Sequence, residues 1–347
     1  MKKSRFLRFH SSGVRHLEKR SPNLFAQIAP FQVAPRFVPR VWGARSLQPW
    51  YPVDSETDPV GEVWLTGDAC TVASGPHTGR ALGDLFREAP DALLGRGAPL
   101  EGSPLLIKVI FAREKLSVQV HPDDLLARRD GYLRGKTECW YALAAEPDAQ
   151  VAVGLKPHTT MNQVRSSVDR GTMESLLQSI PIATGDMVLV DAGTVHAIWP
   201  GSVLLETQQN CDLTYRLFDY GRPRELQIEK SLEAAKLTTR AGKVQPRLLP
   251  DRTVFLEDDY FCVERIPVKV SRSSVSLPGL HEPEQGLAYL FAASGSARLM
   301  SPGFESLDLP ERGIVAIPAA SPVFSVQDIG GLDLIRISPR WPGGPTR

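Results

Sequence analysis

Three separated segments of the chain carry side chains that could together bind a divalent metal ion. They span residues 116–124, 135–140 and 185–196. The candidate ligands in these segments are Gln119, His121, Glu138 and His196. Two imidazole nitrogens combined with oxygen donors suit a zinc-like ion, and a coordination position left to water or to a substrate would make the site catalytic.

The spacing of these residues predicts that the ends of β-strands position them. Gln119 and His121 share one face of a predicted strand, because side chains two residues apart point the same way. Pro122 ends that strand, which places both residues near the rim of a barrel. Glu138 begins a later predicted strand, and His196 follows a strand and a tight turn.

Each candidate ligand taken alone has an ordinary structural explanation. An isolated histidine in a strand is usually a hydrogen-bonded residue of the surface or core, and an isolated glutamate at a strand end is usually solvated. The four residues occur together, in an order and at a spacing typical of a metal site. The combination therefore favours metal binding over the separate explanations.

Most of the chain consists of short apolar runs between turn residues. The 29 prolines and 28 glycines allow frequent turns, and short strands separated by frequent turns are typical of all-β barrels and sandwiches. Stretches 82–94, 123–133 and 160–179 have helical spacing instead, and the last begins close to a capping box. We therefore predict a mainly β protein with a helical insertion near residues 156–181.

Length, charge and composition limit what the protein is expected to bind and where it is expected to act. A length of 347 residues is enough for two domains, and a net charge of +1 offers no argument for a nucleic-acid partner. The four cysteines are scattered along the chain, which favours a reducing, cytoplasmic location over an oxidising compartment in which disulfides form. No apolar run reaches the ~20 residues that a membrane span needs, so we expect no membrane partner. Residues 1–30 are basic and are predicted to form a disordered tail.

The C-terminal part looks like a second copy of the same fold without the metal. Predicted strands resume with new spacing after residue 245. Residues 313–323 repeat the glycine, apolar strand and small-residue turn of 185–196, with Val323 in the place of His196. We predict a catalytic domain at 31–245 and a metal-free, structural domain at 246–347.

Several longer motifs resemble type I mannose-6-phosphate isomerases, which belong to the cupin superfamily. The most specific are Gln-x-His-Pro-Asp-Asp at 119–124 and Glu-x-Gln-Gln-x-x-Asp-x-x-Tyr-Arg at 206–216. The segment 185–196 is similar to the second cupin motif, with Asp191 where proline is usual, and Gln119 replaces the first histidine of the first motif. The resemblance covers residues 35–245 well and the remainder weakly.

This resemblance implies two cupin barrels, that is, double-stranded β-helix or jelly-roll folds, with the helical insertion in the first. It implies one zinc ion per chain on Gln119, His121, Glu138 and His196, and a reaction that interconverts mannose 6-phosphate and fructose 6-phosphate through an enediol-type intermediate. The implied catalytic residues are Arg216, Asp212, Glu206 and Lys136. The implied substrate- and phosphate-binding residues are Lys108, Ser117 and Arg222.

The residue types leave the general base open between Glu206, Asp212 and Lys136. A carboxylate is favoured, with Asp212 slightly ahead because it lies close to Arg216 in the sequence. The partner is expected to be a small sugar phosphate, and the protein a monomer or small homo-oligomer. Three rival functions stay open: an isomerase for another sugar, a non-enzymatic cupin and a metal-dependent oxygenase. The last would prefer a His/His/carboxylate set without the additional Gln119.

Overall fold

The computed structural model describes residues 28–98, 102–268 and 286–341, and over these ranges the chain is mainly β. This confirms the predicted fold class at that level. The basic segment predicted as a tail lies outside the described residues up to residue 27. Within the described ranges, no helix is long and apolar enough to span a membrane.

Two antiparallel sheets, which we call sheets I and II, enclose the N-terminal core. In spatial order, sheet I consists of β13 (Gly242–Lys243), β9 (Met187–Val190), β6 (Glu138–Ala145), β11 (Ser202–Gln209), β4 (Leu105–Ala112), β3 (Val60–Trp64) and β2 (Arg36–Ala44). Sheet II consists of β12 (Tyr215–Phe218), β5 (Val118–Val120), β10 (His196–Ile198), β7 (Gln150–Leu155) and β8 (Leu177–Pro181).

The C-terminal strands form two further sheets. Sheet III consists of β1 (Phe31–Gln32), β20 (Ile314–Ile317), β17 (Ala288–Ser294), β22 (Asp333–Pro339), β16 (Phe261–Ile266), β15 (Thr253–Glu257) and β14 (Arg247–Leu248). Sheet IV consists of β19 (Phe304–Leu309), β18 (Ala297–Ser301) and β21 (Ser325–Asp328). Strand β1 precedes all of sheet I in the chain yet pairs with β20, so an N-terminal segment completes the C-terminal sheet.

Strand β4 shows how the core is divided. All of its residues are buried, because both faces of sheet I are covered. Ile107 and Val109 face the core that sheet I shares with sheet III, where the rings of Tyr141 and Phe255 lie 4.9 Å apart. Ile110 faces the core between sheets I and II. Since side chains alternate along a strand, Lys108 points into that second space.

The helices are short: α1 (Leu82–Glu88), α2 (Pro90–Leu94), α3 (Asp124–Arg129), α4 (Met161–Asp169), α5 (Ile228–Ala234) and a 3₁₀ helix at Met173–Leu176. The predicted capping box is present at the start of α4, between Thr160 and Gln163. The prediction that helical structure continues to residue 179 is wrong. Gly171, with φ of 68°, follows the end of α4, and β8 then pairs with β7.

Candidate metal centre

Three of the predicted ligands meet between sheets I and II. His121, Glu138 and His196 are at most 1% exposed, and one ligand atom from each lies within 4.8 Å of the others. The Nε2 atom of His121 is 3.4 Å from Oε2 of Glu138, and Nε2 of His196 is 3.5 Å from Oε1 of Glu138. His121 directly follows β5 of sheet II, His196 begins β10 of the same sheet, and Glu138 begins β6 of sheet I, so the two sheets hold the cluster from opposite sides.

Strand register explains why the sheet II residues converge. Gln119 lies directly opposite His196 in the pairing of β5 with β10, so their side chains share a face. The turn before β10 requires Gly193, whose φ is 92° and whose missing Cβ would lie 2.7 Å from the Lys236 side chain. The Gly193 amide donates a 2.9 Å hydrogen bond to the carbonyl of His121, which ties the two histidine segments together.

Gln119 contacts the cluster through its side-chain amide. Its Nε2 atom lies 3.2 Å from Nε2 of His196 and donates to that nitrogen when the imidazole is neutral. A half-turn of the amide exchanges the two terminal atoms, which would present Oε1 in the same place. Gln119 therefore lies where a fourth ligand would be.

Both histidines are prepared to act as neutral ligands. The Nδ1–H group of His196 donates to the Thr194 carbonyl at 2.9 Å, which leaves the Nε2 lone pair directed at the cluster. Burial lowers the pKa of His196. Burial, helped by the nearby charge of Lys136, lowers the pKa of His121 well below its usual range. Neutral imidazoles at neutral pH are the form that binds metal.

Unpaired polar atoms indicate that this donor set fits a metal ion. Among the described residues, neither ring nitrogen of His121 has a hydrogen-bond partner, and neither does Oε2 of Glu138. Leaving a buried polar atom unpaired costs about 1–3 kcal/mol. A divalent cation bound by these atoms would remove that cost, so the residues present fit the ion that their types predict.

Charged side chains of sheet I and of the segment before β6 lie beside the cluster. The Nζ atom of Lys136 lies 3.8 Å from Oε2 of Glu138, and Nζ of Lys108 lies 2.9 Å from Oε2 of Glu206. Lys108 and Glu206 are directly opposite each other on β4 and β11. Burial and the neighbouring Glu138 carboxylate raise the pKa of Glu206 to about 7. Burial and the neighbouring negative charge thus favour the protonated form of Glu206.

The other predicted site residues lie along sheet II and its following loop. Ser117 is buried two residues before Gln119. Arg216 lies opposite Gln119 in the pairing of β12 with β5, and it donates to the Glu225 carbonyl at 2.9 Å. Asp212 is exposed in the loop between β11 and β12. Although burial opposes it, Glu206, Glu62 and, to a smaller extent, Asp212 raise the pKa of Lys108.

Arg222 is held by groups next to the Ser117 segment. It donates to the Asp219 carboxylate at 2.7 Å and to the Lys115 carbonyl at 2.7 Å. Arg224 also donates to Asp219, so one buried carboxylate orients two guanidinium groups. From the sequence, Asp219 was considered only as a salt-bridge partner of Arg216, and its pairing with Arg222 and Arg224 was not predicted, although an acid followed by two basic residues within five positions could have indicated it.

Comparison with known proteins identifies the family. The profile described as "Phosphomannose isomerase type I, catalytic domain" matches residues 35–166. Mannose-6-phosphate isomerase ManA of Bacillus subtilis (strain 168) is 38% identical over 223 residues, which cover 60% of this chain and 68% of that protein. The chain belongs to the type I phosphomannose isomerase family. It is accordingly an enzyme, an isomerase of this family.

Solved structures agree with this assignment. The crystal structure of the mannose 6-phosphate isomerase from Bacillus subtilis matches with a TM-score of 0.78 and 28% identity, over 89% of this chain and 99% of that one. A mannose 6-phosphate isomerase bound with zinc and yttrium matches with a TM-score of 0.69 and 16% identity, over 90% and 100% of the two chains. At that identity, the second likeness concerns the fold alone.

Proposed function

We propose that the protein is a metal-dependent aldose–ketose isomerase that interconverts mannose 6-phosphate and fructose 6-phosphate. The observation that carries the proposal is the buried His121–Glu138–His196 cluster, which has unpaired ligand atoms and lies beside Lys136. A phosphomannose isomerase family member with this arrangement has both a metal centre and nearby cations for an anionic sugar.

We assign one zinc ion per chain to Gln119, His121, Glu138 and His196. A divalent ion held there supplies Lewis-acid polarisation of a sugar oxygen. The neutral histidines and the Glu138 carboxylate provide the charge and donor types that zinc prefers. The zinc-bound relative of the same fold is consistent with this metal.

The reaction must move a proton between C2 and C1 of the sugar through an enediol-type intermediate. We assign this transfer to a carboxylate, either Glu206 or Asp212, with Lys136 as an acid or base at the sugar oxygens. Glu206 is buried next to Glu138, whereas Asp212 is exposed at the loop. Arg216, beside Gln119 in sheet II, would stabilise the negative charge that develops on oxygen.

We assign the phosphate to Lys108, Ser117 and Arg222. Lys108 is a buried cation in an otherwise apolar strand, a costly placement that calls for anionic partners. Arg222 lies against the Lys115 carbonyl, two residues from Ser117. Binding energy from the phosphate would hold the reacting end of the sugar in place.

We further propose two cupin barrels, the first formed by sheets I and II with α4 in its insertion, and the second by sheets III and IV. The domain division at 31–245 and 246–347 belongs to the same proposal, with β1 completing the second barrel. We also propose a role in cytoplasmic mannose metabolism, as a monomer or small homo-oligomer.

An isomerase assay on mannose 6-phosphate tests the proposal, with metal analysis of the same purified sample. We expect turnover, about one divalent ion per chain, loss of activity after chelation and recovery with Zn²⁺. Unphosphorylated mannose is the matched control, because the proposed phosphate contacts predict that it reacts far more slowly. Full turnover by metal-free enzyme would overturn the metal assignment, and equal turnover of mannose would overturn the phosphate assignment.

A further inference from the structure

Charged side chains of alternating sign continue from the metal centre across sheet I. Glu206 on β11 pairs with Lys108 on β4 at 2.9 Å. Lys108 also lies 3.6 Å from Oε1 of Glu62 on β3, and Oε2 of Glu62 accepts a 2.8 Å hydrogen bond from Arg40 on β2. The order of these strands in the sheet is β11, β4, β3, β2, so the row runs from the metal centre to the edge of the sheet.

Glu62 was not among the predicted site residues, yet its side chain is buried and fixed by hydrogen bonds. Its side chain is 8% exposed, and its Oε2 atom accepts a second hydrogen bond, of 2.7 Å, from Nε1 of Trp64. Gly61 lets β2 lie close enough for Arg40 to reach, since a Cβ at Gly61 would lie 2.5 Å from Cβ of Arg40. Although burial opposes it, Lys108 and Arg40 keep the pKa of Glu62 at about 2, so the carboxylate is charged.

We propose that Glu62 is a positioning residue that divides the Lys108 ammonium group between two carboxylates and so keeps it available to the substrate. The Nζ atom of Lys108 lies 2.9 Å from Oε2 of Glu206 and 3.6 Å from Oε1 of Glu62, so the two carboxylates share its charge and hold it between them. With Glu62 neutral, Lys108 would move fully onto Glu206 and withdraw from that position. Arg40 and Trp64 in turn hold Glu62.

This inference rests on the proposed function, because it gives Lys108 its substrate contact. The main test is a double-mutant cycle with Glu62→Gln, Lys108→Met and the double variant. Glu62→Gln should raise KM for mannose 6-phosphate about tenfold with little change in kcat, as expected for one weakened contact to a charged group. In the Lys108→Met background the same change should alter KM less than about twofold, because residues that act through each other are not additive.

Two further variants separate positioning from general loss of structure. Glu264→Gln removes a buried, arginine-paired carboxylate of sheet III, and it should lower thermal stability without changing KM. Glu62→Asp keeps the charge, so its KM should lie closer to the wild-type value than to the raised value of Glu62→Gln. The inference would be overturned if Glu62→Gln changed KM equally in the wild-type and the Lys108→Met backgrounds, or if it left the KM of the wild-type background unchanged.

A crystal structure of metal-free Glu62→Gln provides a readout that does not depend on activity. We expect Lys108 Nζ to have moved away from residue 62 towards Glu206, while the backbone of β3 and β4 stays in place. An unmoved Lys108 would contradict the positioning role even if activity fell. If the wild-type protein fails to isomerise mannose 6-phosphate, the proposed function fails, and the position of Lys108 still decides whether Glu62 holds it.

Discussion

Sheets I and III have the same strand arrangement but carry different charges on equivalent strands. Across sheet I, directly paired residues form the row Val188, Trp140, Glu206, Lys108 and Trp64. Across sheet III, the equivalent row is Val315, Leu290, Arg336, Glu264 and Val254. The central acid–base pair is present in both sheets with its charges exchanged.

The difference lies in what surrounds each pair. In sheet I, Glu138 stands two residues before Trp140 and carries the metal-type cluster. In sheet III, the residue two before Leu290 is Ala288, and no second group of metal-ligating side chains occurs within the described ranges. Glu264 is neutralised by Arg336 at 2.5 Å and Arg252 at 2.8 Å. A buried ion pair is therefore compatible with structure alone, and the neighbouring unpaired ligand atoms distinguish the active region.

The largest effect is expected from removing a metal ligand. His196→Ala should reduce kcat/KM by about 10³-fold or more and abolish stoichiometric zinc binding, because an electrostatic centre of this kind supplies several kcal/mol to the transition state. Metal analysis and steady-state kinetics measure both. The matched change in the C-terminal part is Val323→Ala, at the position that corresponds to His196, and it should leave zinc binding and kcat/KM unchanged. Retained zinc in His196→Ala would remove His196 from the ligand set.

The second comparison replaces the central cation of each sheet, Lys108 in sheet I and Arg336 in sheet III, by methionine. Lys108→Met should lower kcat/KM for mannose 6-phosphate by about 10²-fold, whereas Arg336→Met should leave it unchanged. Both break a buried ion pair and should destabilise the fold by about 3–5 kcal/mol. Kinetics combined with denaturant unfolding separate the two outcomes. Similar catalytic losses in both variants would show that the pair in sheet I is only structural.

A third comparison concerns the two carboxylates at the site. Glu206→Gln or Asp212→Asn should slow exchange of the C2 proton by about 10²–10⁴-fold, the usual contribution of a general base. The variant with the larger loss identifies the base. Proton exchange with solvent, followed by NMR, measures the transfer directly. Near-normal exchange in both variants would rule out a carboxylate base and leave Lys136.

The smallest expected effect is a loss of zinc affinity that begins at a lower pH than it would with histidines of ordinary pKa. Because burial lowers the pKa of both His121 and His196, protons should compete with the metal only below the ordinary value of 6.5. The unfolded chain takes up these protons first, so metal-free stability should also fall as pH drops below 6.5. Chelator competition and thermal melts between pH 8 and 5 test this. Weakening of zinc affinity already between pH 8 and 7 would contradict it.

Local sequence rules predicted many of the strands and one side of the site. Alternation placed Gln119 and His121 on one face, the glycine turn preceded His196, and the capping box marked the start of α4. The helical prediction for residues 177–179 failed because apolar residues at helical spacing also suit a short strand that pairs with β7. Glu62 was missed because its partners Arg40 and Lys108 lie 22 and 46 positions away, on other strands.

The order of amino acids was enough to identify the ligand types and the resemblance to a family, because these depend on residue identity and short spacing. Strand register across sheets I and II decided which polar side chains meet: His196 with Gln119, Lys108 with Glu206, and Lys108 with Glu62. Those contacts join segments far apart in the chain. Hydrogen bonding between strands and burial of both sheet faces create them, and no local pattern encodes the pairing.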